Sequence, residues 1–211
     1  MKDVLIVGAG ELGQQFRHMI DVYSTDKVVG WIDDTKTKGE VIFGLKVIGS
    51  ISELLTIESK ITVAIAIGYK HSYFKLNLLK KIQDNKSIEL YTFVHPTSFI
   101  DKTAILEPGV FIYPNVTIDM NVFLKAGVLI NNSSTISHDS IINIGVFIAP
   151  NVTVSGNVTI GEGCFIGAGT VIKDGITIGR CNTIGSGSNV FKSIYDEGSV
   201  YMTKSNLVKL K

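Results

Sequence analysis

Cysteine is almost missing from this chain, with only Cys164 and Cys181 among 211 residues. Two cysteines make neither a disulfide framework nor a four-ligand zinc cluster. Charge of one sign is missing too. The formal net charge is +1, no basic run exceeds a few residues, and nothing suggests a nucleic-acid footprint or a polybasic membrane patch. Long apolar runs are absent: no segment approaches the ~18 residues that a membrane-spanning helix requires. The mean hydropathy of +0.31 is nonetheless high for a soluble chain, so the apolar residues are read as core. The opening "MKDVLIVGAG" breaks into glycine where the apolar region of a signal peptide would continue, so export is not expected and a cytoplasmic location is the default. The length admits one large domain or two small ones, either with a real core.

What is present divides by period. Residues 1–95 alternate strand and helix. "DVLIVGAG" reads as a strand entering a glycine turn, and "ELGQQFRHMIDVY" as an amphipathic helix. "KVVGWIDD" is a second strand ending in two carboxylates, "ISELL" a short helix, and "ITVAIAIG" a third strand. "HSYFKLNLLKKIQDN" is another helix and "IELYTFVHP" a fourth strand. This spacing predicts a small parallel α/β sheet of the doubly wound, Rossmann-like type. Residues 96–211 follow a different rule. From Ile100 through Ile112, Leu124, Ile136, Ile148, Ile160, Ile172 and Ile184 to Val190, sixteen aliphatic residues stand six apart without a miss. A second small or branched residue, such as Val110, Val128 or Cys164, stands two places before most of them. Neither a helix of period 3.6 nor a flat strand of period 2 has a period of six. A parallel β-helix does, with one strand and one corner per hexad, three hexads to a coil, and about five coils in all.

Taken together, "VGAGELG", "WIDD" and "AIAIG" ahead of a hexad array containing "SSTISHD" resemble the hexapeptide-repeat sugar acetyltransferases of the sialic acid O-acetyltransferase and bacillosamine-pathway N-acetyltransferase type. The resemblance covers almost the whole chain. It implies a left-handed β-helix, acetyl-CoA as co-substrate, a UDP-, dTDP- or GDP-linked amino-deoxy sugar as acceptor, and a homotrimer with active sites between subunits. Surface polysaccharide or O-antigen synthesis is the implied setting, and O-acetylation of a sialic acid is the alternative. Residues 1–95 would bind the nucleotide sugar, and residues 96–211 would bind acetyl-CoA and perform catalysis.

The stretch "NNSSTISHDS" supplies the candidate chemistry. Ser134 and Ser140 stand where valine recurs elsewhere, which suggests a polar break in the wall. His138 lies two residues after Ile136, outside both inward-facing classes, and Gly156 follows one coil later. A histidine under a glycine leaves a slot with a bare backbone N–H, suited to a general base beside an oxyanion donor. Asp139 is placed to orient the imidazole or raise its basicity. The resemblance assigns the same three residues to catalysis, and it assigns Phe147, Ala168 and Ser186 to the acetyl-CoA groove. A β-helix zinc enzyme would need about three converging histidines; this array holds only His138.

In the N-terminal part, Gly8, Gly10 and Gly13 form a GxGxxG between strand and helix that permits close approach to phosphate. Asp33 and Asp34 close the second strand, where an acid meets a ribose or base edge. The resemblance places Gly10, Glu11, Leu12, Asp33, Asp34 and Gly68 at nucleotide-sugar positions, and with Gly8 of the glycine motif these are the expected acceptor-binding residues. Lys70 fits a diphosphate partner or a polar helix start equally well. His95, before Pro96, reads as a hinge. No metal is expected. Three features depart from the family pattern: Phe147 replaces a second histidine, Leu12 replaces a histidine or aromatic residue, and "GSVYMTKSNLVKL" replaces a glycine-proline ending.

Overall fold

The computed structural model describes residues 1–202, in which two layers of parallel strand are joined through aromatic packing. The N-terminal sheet contains β1 (Asp3–Val7), β2 (Lys27–Ile32), β3 (Val41–Ile42), β4 (Leu45–Gly49), β5 (Ile61–Ile65) and β6 (Ile88–Leu90). Their order is β3-β4-β2-β1-β5-β6. All neighbours are parallel except β3 and β4, which form a hairpin across Phe43 and Gly44. Both turn residues have positive φ, at 49° and 79°, the backbone that suits the right-handed twist of a two-residue hairpin. That hairpin is an addition to the expected elements. The chain runs from β1 to β2 on one side and returns to β5 on the other, which makes β1 the switch point of the sheet.

Helix α1 (Glu11–Tyr23) buries Phe16 and Ile20 against one face of this sheet, while α2 (Ile51–Leu55) and α3 (Ser72–Gln83) bury Leu54, Leu79 and Ile82 against the other. The expected fourth strand divides. Ile88–Leu90 ends the α/β sheet, and Phe93–Val94 already belongs to the first coil of the β-helix. Val94 is six before Ile100, so the hexad register extends one step further back than the run that begins at Ile100.

The remainder is a left-handed three-walled prism of two-residue strands. The first wall begins at Phe93–Val94 and includes Phe111–Ile112, Leu129–Ile130, Phe147–Ile148, Phe165–Ile166 and Thr183–Ile184, closed by Val200–Tyr201. The second wall runs from Phe99–Ile100 to Asn189–Val190, and the third from Ile105–Leu106 to Thr177–Ile178. Each strand pairs in parallel with the one eighteen residues later, for example Phe123 with Ile141. Every key aliphatic position from Ile112 to Val190 is buried, whereas Ile100 and Leu106 at the open end are partly covered. Full burial of one such side chain stabilises by roughly 1.5–3 kcal/mol, so the column is the main support of the prism.

The corners have a chemical rule of their own. Three residues after each key position from Leu106 to Ile184 the backbone is left-handed, and those places carry Asn115, Asn121, Ser133, Asp139, Asn151, Asn157, Cys181 or glycine. Asparagine and aspartate tolerate this conformation better than bulkier residues. The polar break expected at Ser134 and Ser140 is not a break. Both side chains lie inside the prism at 0% exposure. The Ser134 hydroxyl donates to the Ala149 carbonyl at 3.0 Å and accepts from the Val152 N–H at 3.1 Å. Ser140 does the same with Ser155 and Val158, each at 3.1 Å. A small hydroxyl replaces valine without leaving its bonding groups unsatisfied, so the wall stays closed.

The α/β layer sits on the first wall. The rings of Phe16 and Phe111 stack with centroids 3.6 Å apart, and Tyr113 donates its hydroxyl to Gln15 Oε1 at 3.0 Å. Leu76 and Leu79 of α3 rest on the corner glycines Gly127, Gly145 and Gly163. A Cβ at Gly127 would come within 2.6 Å of Leu79 Cδ1, so side chains there would push the helix off. His95 is buried on the first coil, with Nδ1 2.9 Å from Thr97 Oγ1 and its ring 4.3 Å from that of Tyr23. It is packed into the junction and is not a hinge.

Candidate active site

The edge between the second and third walls carries His138. The strand Thr135–Ile136 points Ile136 inward, and the corner that follows turns His138 and Asp139 outward, with side-chain exposures of 46% and 44%. Asp139 occupies the left-handed corner position at φ 56°, which brings its carboxylate back beside the preceding side chain. His138 Nδ1 lies 2.9 Å from Asp139 Oδ2. Asp139 Oδ1 accepts from Asn121 Nδ2 at 3.0 Å, and the Asn121 backbone N–H donates to Thr103 Oγ1 at 2.8 Å. Asn121 stands eighteen residues before Asp139; that spacing signals its role, although the motif reading passed over it.

These contacts set the electrostatics. The hydrogen bond to Asp139 raises the His138 pKa above the ordinary imidazole value; partial desolvation opposes it, and the charges of Asp139, Asp119 and Asp174 add to the rise. The Asp139 pKa is lowered by its bond to His138 and by the Asn121 amide. A carboxylate accepting at Nδ1 fixes the proton there and leaves Nε2 as the basic atom. Nε2 is directed at the next coil. A Cβ built on Gly156 would lie 2.6 Å from His138 Nε2 and 3.0 Å from Asp174 Oδ1, so only glycine leaves the notch open. Among the described residues the Gly156 N–H has no hydrogen-bond partner. The structure thus assembles His138, Asp139 and Gly156 at one place.

A second constellation forms at the carboxyl ends of β1, β2 and β5. A cleft of about 470 Å³ is lined by Gly8, Gly10, Asp33, Asp34 and Gly68, together with Thr35, Ile51, His71 and Phe74. Gly8 has φ 106°, and a Cβ on it would meet the Ala66 carbonyl oxygen at 2.7 Å. Asp33 staples the loop: Oδ2 accepts from the Ala9 N–H at 2.8 Å, and Oδ1 accepts from the Thr35 N–H and hydroxyl. Burial works to raise the Asp33 pKa, but these donors outweigh it and the net shift is downward. Asp34 Oδ1 accepts from the Ile51 N–H at 2.8 Å, so neither carboxylate is a free turn residue. Their first effect is to hold the rim of the cleft.

Other expected site residues lie elsewhere. Glu11 is exposed on the first turn of α1 outside the cleft lining, Leu12 is half-buried against the core, and Lys70 is exposed and does not line the cleft. Phe147 lies on the first wall in contact with Tyr69, at a centroid distance of 5.8 Å, and with Phe165 at 5.7 Å. It therefore helps to seat the α/β layer. Ala168 and Ser186 share the edge between the first and second walls, on successive coils, flanked by Gly167, Gly169, Gly185 and Gly187. This is not the edge of His138. Of the unusual C-terminal stretch, Val200–Tyr201 adds a strand to the first wall; residues 203–211 lie outside the described residues. His71 lines the cleft, in keeping with the place of "GYKHSYFK" at the carboxyl end of the sheet, whereas Thr35 and Phe74 were not expected, because they have no motif of their own.

Two family models match the chain. Bacterial transferase hexapeptide repeats match residues 139–174 and 157–192, and the PglD N-terminal domain matches residues 3–76. None of the curated proteins matches it. Among solved structures, a mutant of perosamine N-acetyltransferase from Caulobacter crescentus, in complex with CoA and GDP-perosamine, superposes with a TM-score of 0.85 at 21% identity, covering 96% of this chain and 94% of that one. The acetyltransferase domain of PglB from Neisseria gonorrhoeae FA1090 gives 0.84 at 25% identity, covering 96% and 97%. WeeI from Acinetobacter baumannii AYE gives 0.74 at 23%, covering 92% and 93%. Fold and repeats define a hexapeptide-repeat transferase. The chain thus carries a PglD-type N-terminal domain in front of bacterial transferase hexapeptide repeats, and over 96% of its length it is similar to the acetyltransferase domain of PglB.

Proposed function

We propose that this protein transfers the acetyl group of acetyl-CoA to the amine of a nucleotide-linked amino-deoxy sugar, with His138 as general base. The observation that carries this reading is the alignment of His138 Nε2, held by Asp139 at Nδ1, over the bare Gly156 amide. As the amine attacks the thioester carbonyl, Nε2 accepts its proton, and the Gly156 N–H faces the oxygen on which charge accumulates. Asp139 keeps the tautomer and stabilises the imidazolium that forms.

The α/β cleft supports a nucleotide-linked acceptor, since its glycine loop admits phosphate close to the backbone at a switch point. Residues 1–95 are then the acceptor-binding unit and residues 96–211 the catalytic unit. The bound structures of similar proteins, with CoA and GDP-perosamine in one and acetyl coenzyme A in another, favour the same two substrates. Gly169, Ser186 and Gly187 are exposed on the edge between the first and second walls and Ala168 is half-buried beside them, a surface of small residues along which pantetheine can lie. The His138 edge is opposite the wall on which the α/β layer sits, and no prism residue lines the cleft. One chain therefore does not bring its cleft to its own imidazole. A homotrimer with sites between subunits resolves this, because a neighbour can supply the missing face. Such chemistry belongs to surface glycan synthesis in the cytoplasm.

The direct test is thiol release from acetyl-CoA in the presence of a panel of UDP-, dTDP- and GDP-linked amino sugars. One acceptor should support turnover, and His138→Ala should lower that rate by ~10² or more, the usual weight of a general base. No release with any sugar amine or hydroxyl in a broad panel would overturn the reading.

A further inference from the structure

Asp174 shares the notch with the base. It follows Gly156 by eighteen residues, so Met120, His138, Gly156 and Asp174 form one column along the edge. His138 leans up from the coil below Gly156 and Asp174 leans down from the coil above. A single point over Gly156 is 2.6 Å from Nε2 and 3.0 Å from Asp174 Oδ1, so one small polar group just outside the notch can reach both. The Asp174 carboxylate has little else to do. Among the described residues its one hydrogen bond to a side chain comes from Asn157 Nδ2 at 3.5 Å, the outer limit of such a contact. Asp139, by contrast, is already committed to His138 and Asn121, and Asp119 accepts from the Met120 N–H at 2.7 Å.

Building on the acetyl-transfer reading, we propose that Asp174 binds the amino group of the acceptor as its ammonium ion and so selects amines over hydroxyls. An aliphatic amine carries a proton near neutrality, and an ammonium–carboxylate bond is about twice as strong as a neutral one. A hydroxyl acceptor can also donate to the carboxylate but brings no charge of its own, so it lacks the ion-pair attraction. The proton accounting is complete without an added reagent. The bound ammonium releases one proton to water, and the nitrogen lone pair then forms the bond to the acetyl carbon. The second proton passes to His138 Nε2, the carbon–sulfur bond breaks with its electrons on sulfur, and the imidazolium returns a proton to the thiolate. Asp174 holds the nitrogen and takes no proton itself. Lys173, next in the chain, and Lys192, next in the column, are the cations nearest Asp174 in register; among the described residues neither forms a salt bridge with it.

The test uses the full-length protein and the isosteric variant Asp174→Asn, with the nucleotide-linked amino sugar that the wild type accepts and its hydroxyl counterpart. The KM for the amine should rise on the order of tenfold, as expected for loss of one charge-assisted bond. Turnover at saturation should change much less, and the KM for acetyl-CoA should stay unchanged. The ratio of amine to hydroxyl acetylation should fall by the same factor, and Asp174→Glu should restore part of it. If the Asn variant fails to fold, Asp174→Ser gives the same reading. An active wild type whose folded variants keep their amine KM and acceptor ratio overturns this proposal alone. A wild type inert towards every acceptor overturns the acetyl-transfer reading and this inference together.

Discussion

The α/β layer and the prism both bury aliphatic side chains on parallel strands, yet they encode this differently. In the prism each position has a counterpart eighteen residues away, so a residue is explained by its column before it is explained by its neighbours. Departures from the column then carry the chemistry: Gly156 where its column otherwise holds Met120, His138 and Asp174, and Asp139 where Asn121 and Asn157 stand. In the α/β layer nothing repeats. Gly8, Asp33 and Asp34 act once each, through single contacts to Ala66, Ala9 and Ile51. Redundancy makes the prism stable and its site visible as an exception, whereas the cleft depends on unrepeated loop geometry.

Removing a member of the buried column should cause the largest loss. Ile142→Ala leaves a void between Leu124 and Ile160 in a wall with no exposure at that position. It should cost about 2–5 kcal/mol in urea-induced unfolding; a smaller loss would show that neighbouring coils close over the gap. Next comes Gly8→Ala, which forces a side chain into a left-handed position facing the Ala66 carbonyl. About 1–3 kcal/mol of local strain is expected, seen as a higher KM for the nucleotide sugar with the KM for acetyl-CoA unmoved. Equal effects on both substrates would mean that the two layers are coupled more tightly than their separate cores suggest.

The smallest effect is a shift in pH dependence. On the proposed mechanism His138 must be unprotonated to accept a proton, so activity should fall on the acid side as pH drops through its pKa. That pKa is raised, chiefly by the hydrogen bond to Asp139. Asp139→Asn removes the carboxylate, so the acid limb of the kcat/KM profile should move to lower pH, towards the ordinary imidazole value near 6.5. A limb that stays in place would assign the titration to another group.

Much of the site was readable before the structure. The hexad count brought His138 under Gly156 because a coil has a fixed length, glycine-strand-helix punctuation pointed to Gly8, Gly10, Asp33 and Asp34 of the cleft, and the resemblance added Gly68. Other residues were misread because sequence order says nothing about which wall faces what. Ser134 and Ser140 looked like a polar break, but each satisfies its hydroxyl inside the prism. Phe147, which the resemblance assigns to the coenzyme groove, also has a packing role that the sequence did not signal: its ring meets Tyr69 and Phe165 at the junction with the α/β layer. Asn121 and Asp174 were within reach of the same eighteen-residue arithmetic; they were passed over because asparagine and aspartate are ordinary corner residues.

By itself the sequence determined the prism and its register, because a period of six fits one strand and one corner of a β-helix, and local sterics decide which residues turn the corners; the period leaves the hand of the coil open. Only the tertiary structure decided which edge each corner occupies relative to the α/β layer, which hydroxyls turn inward, and that a carboxylate from one coil and an imidazole from another converge over a glycine between them. Those outcomes depend on packing between segments far apart in the chain, which no local pattern encodes.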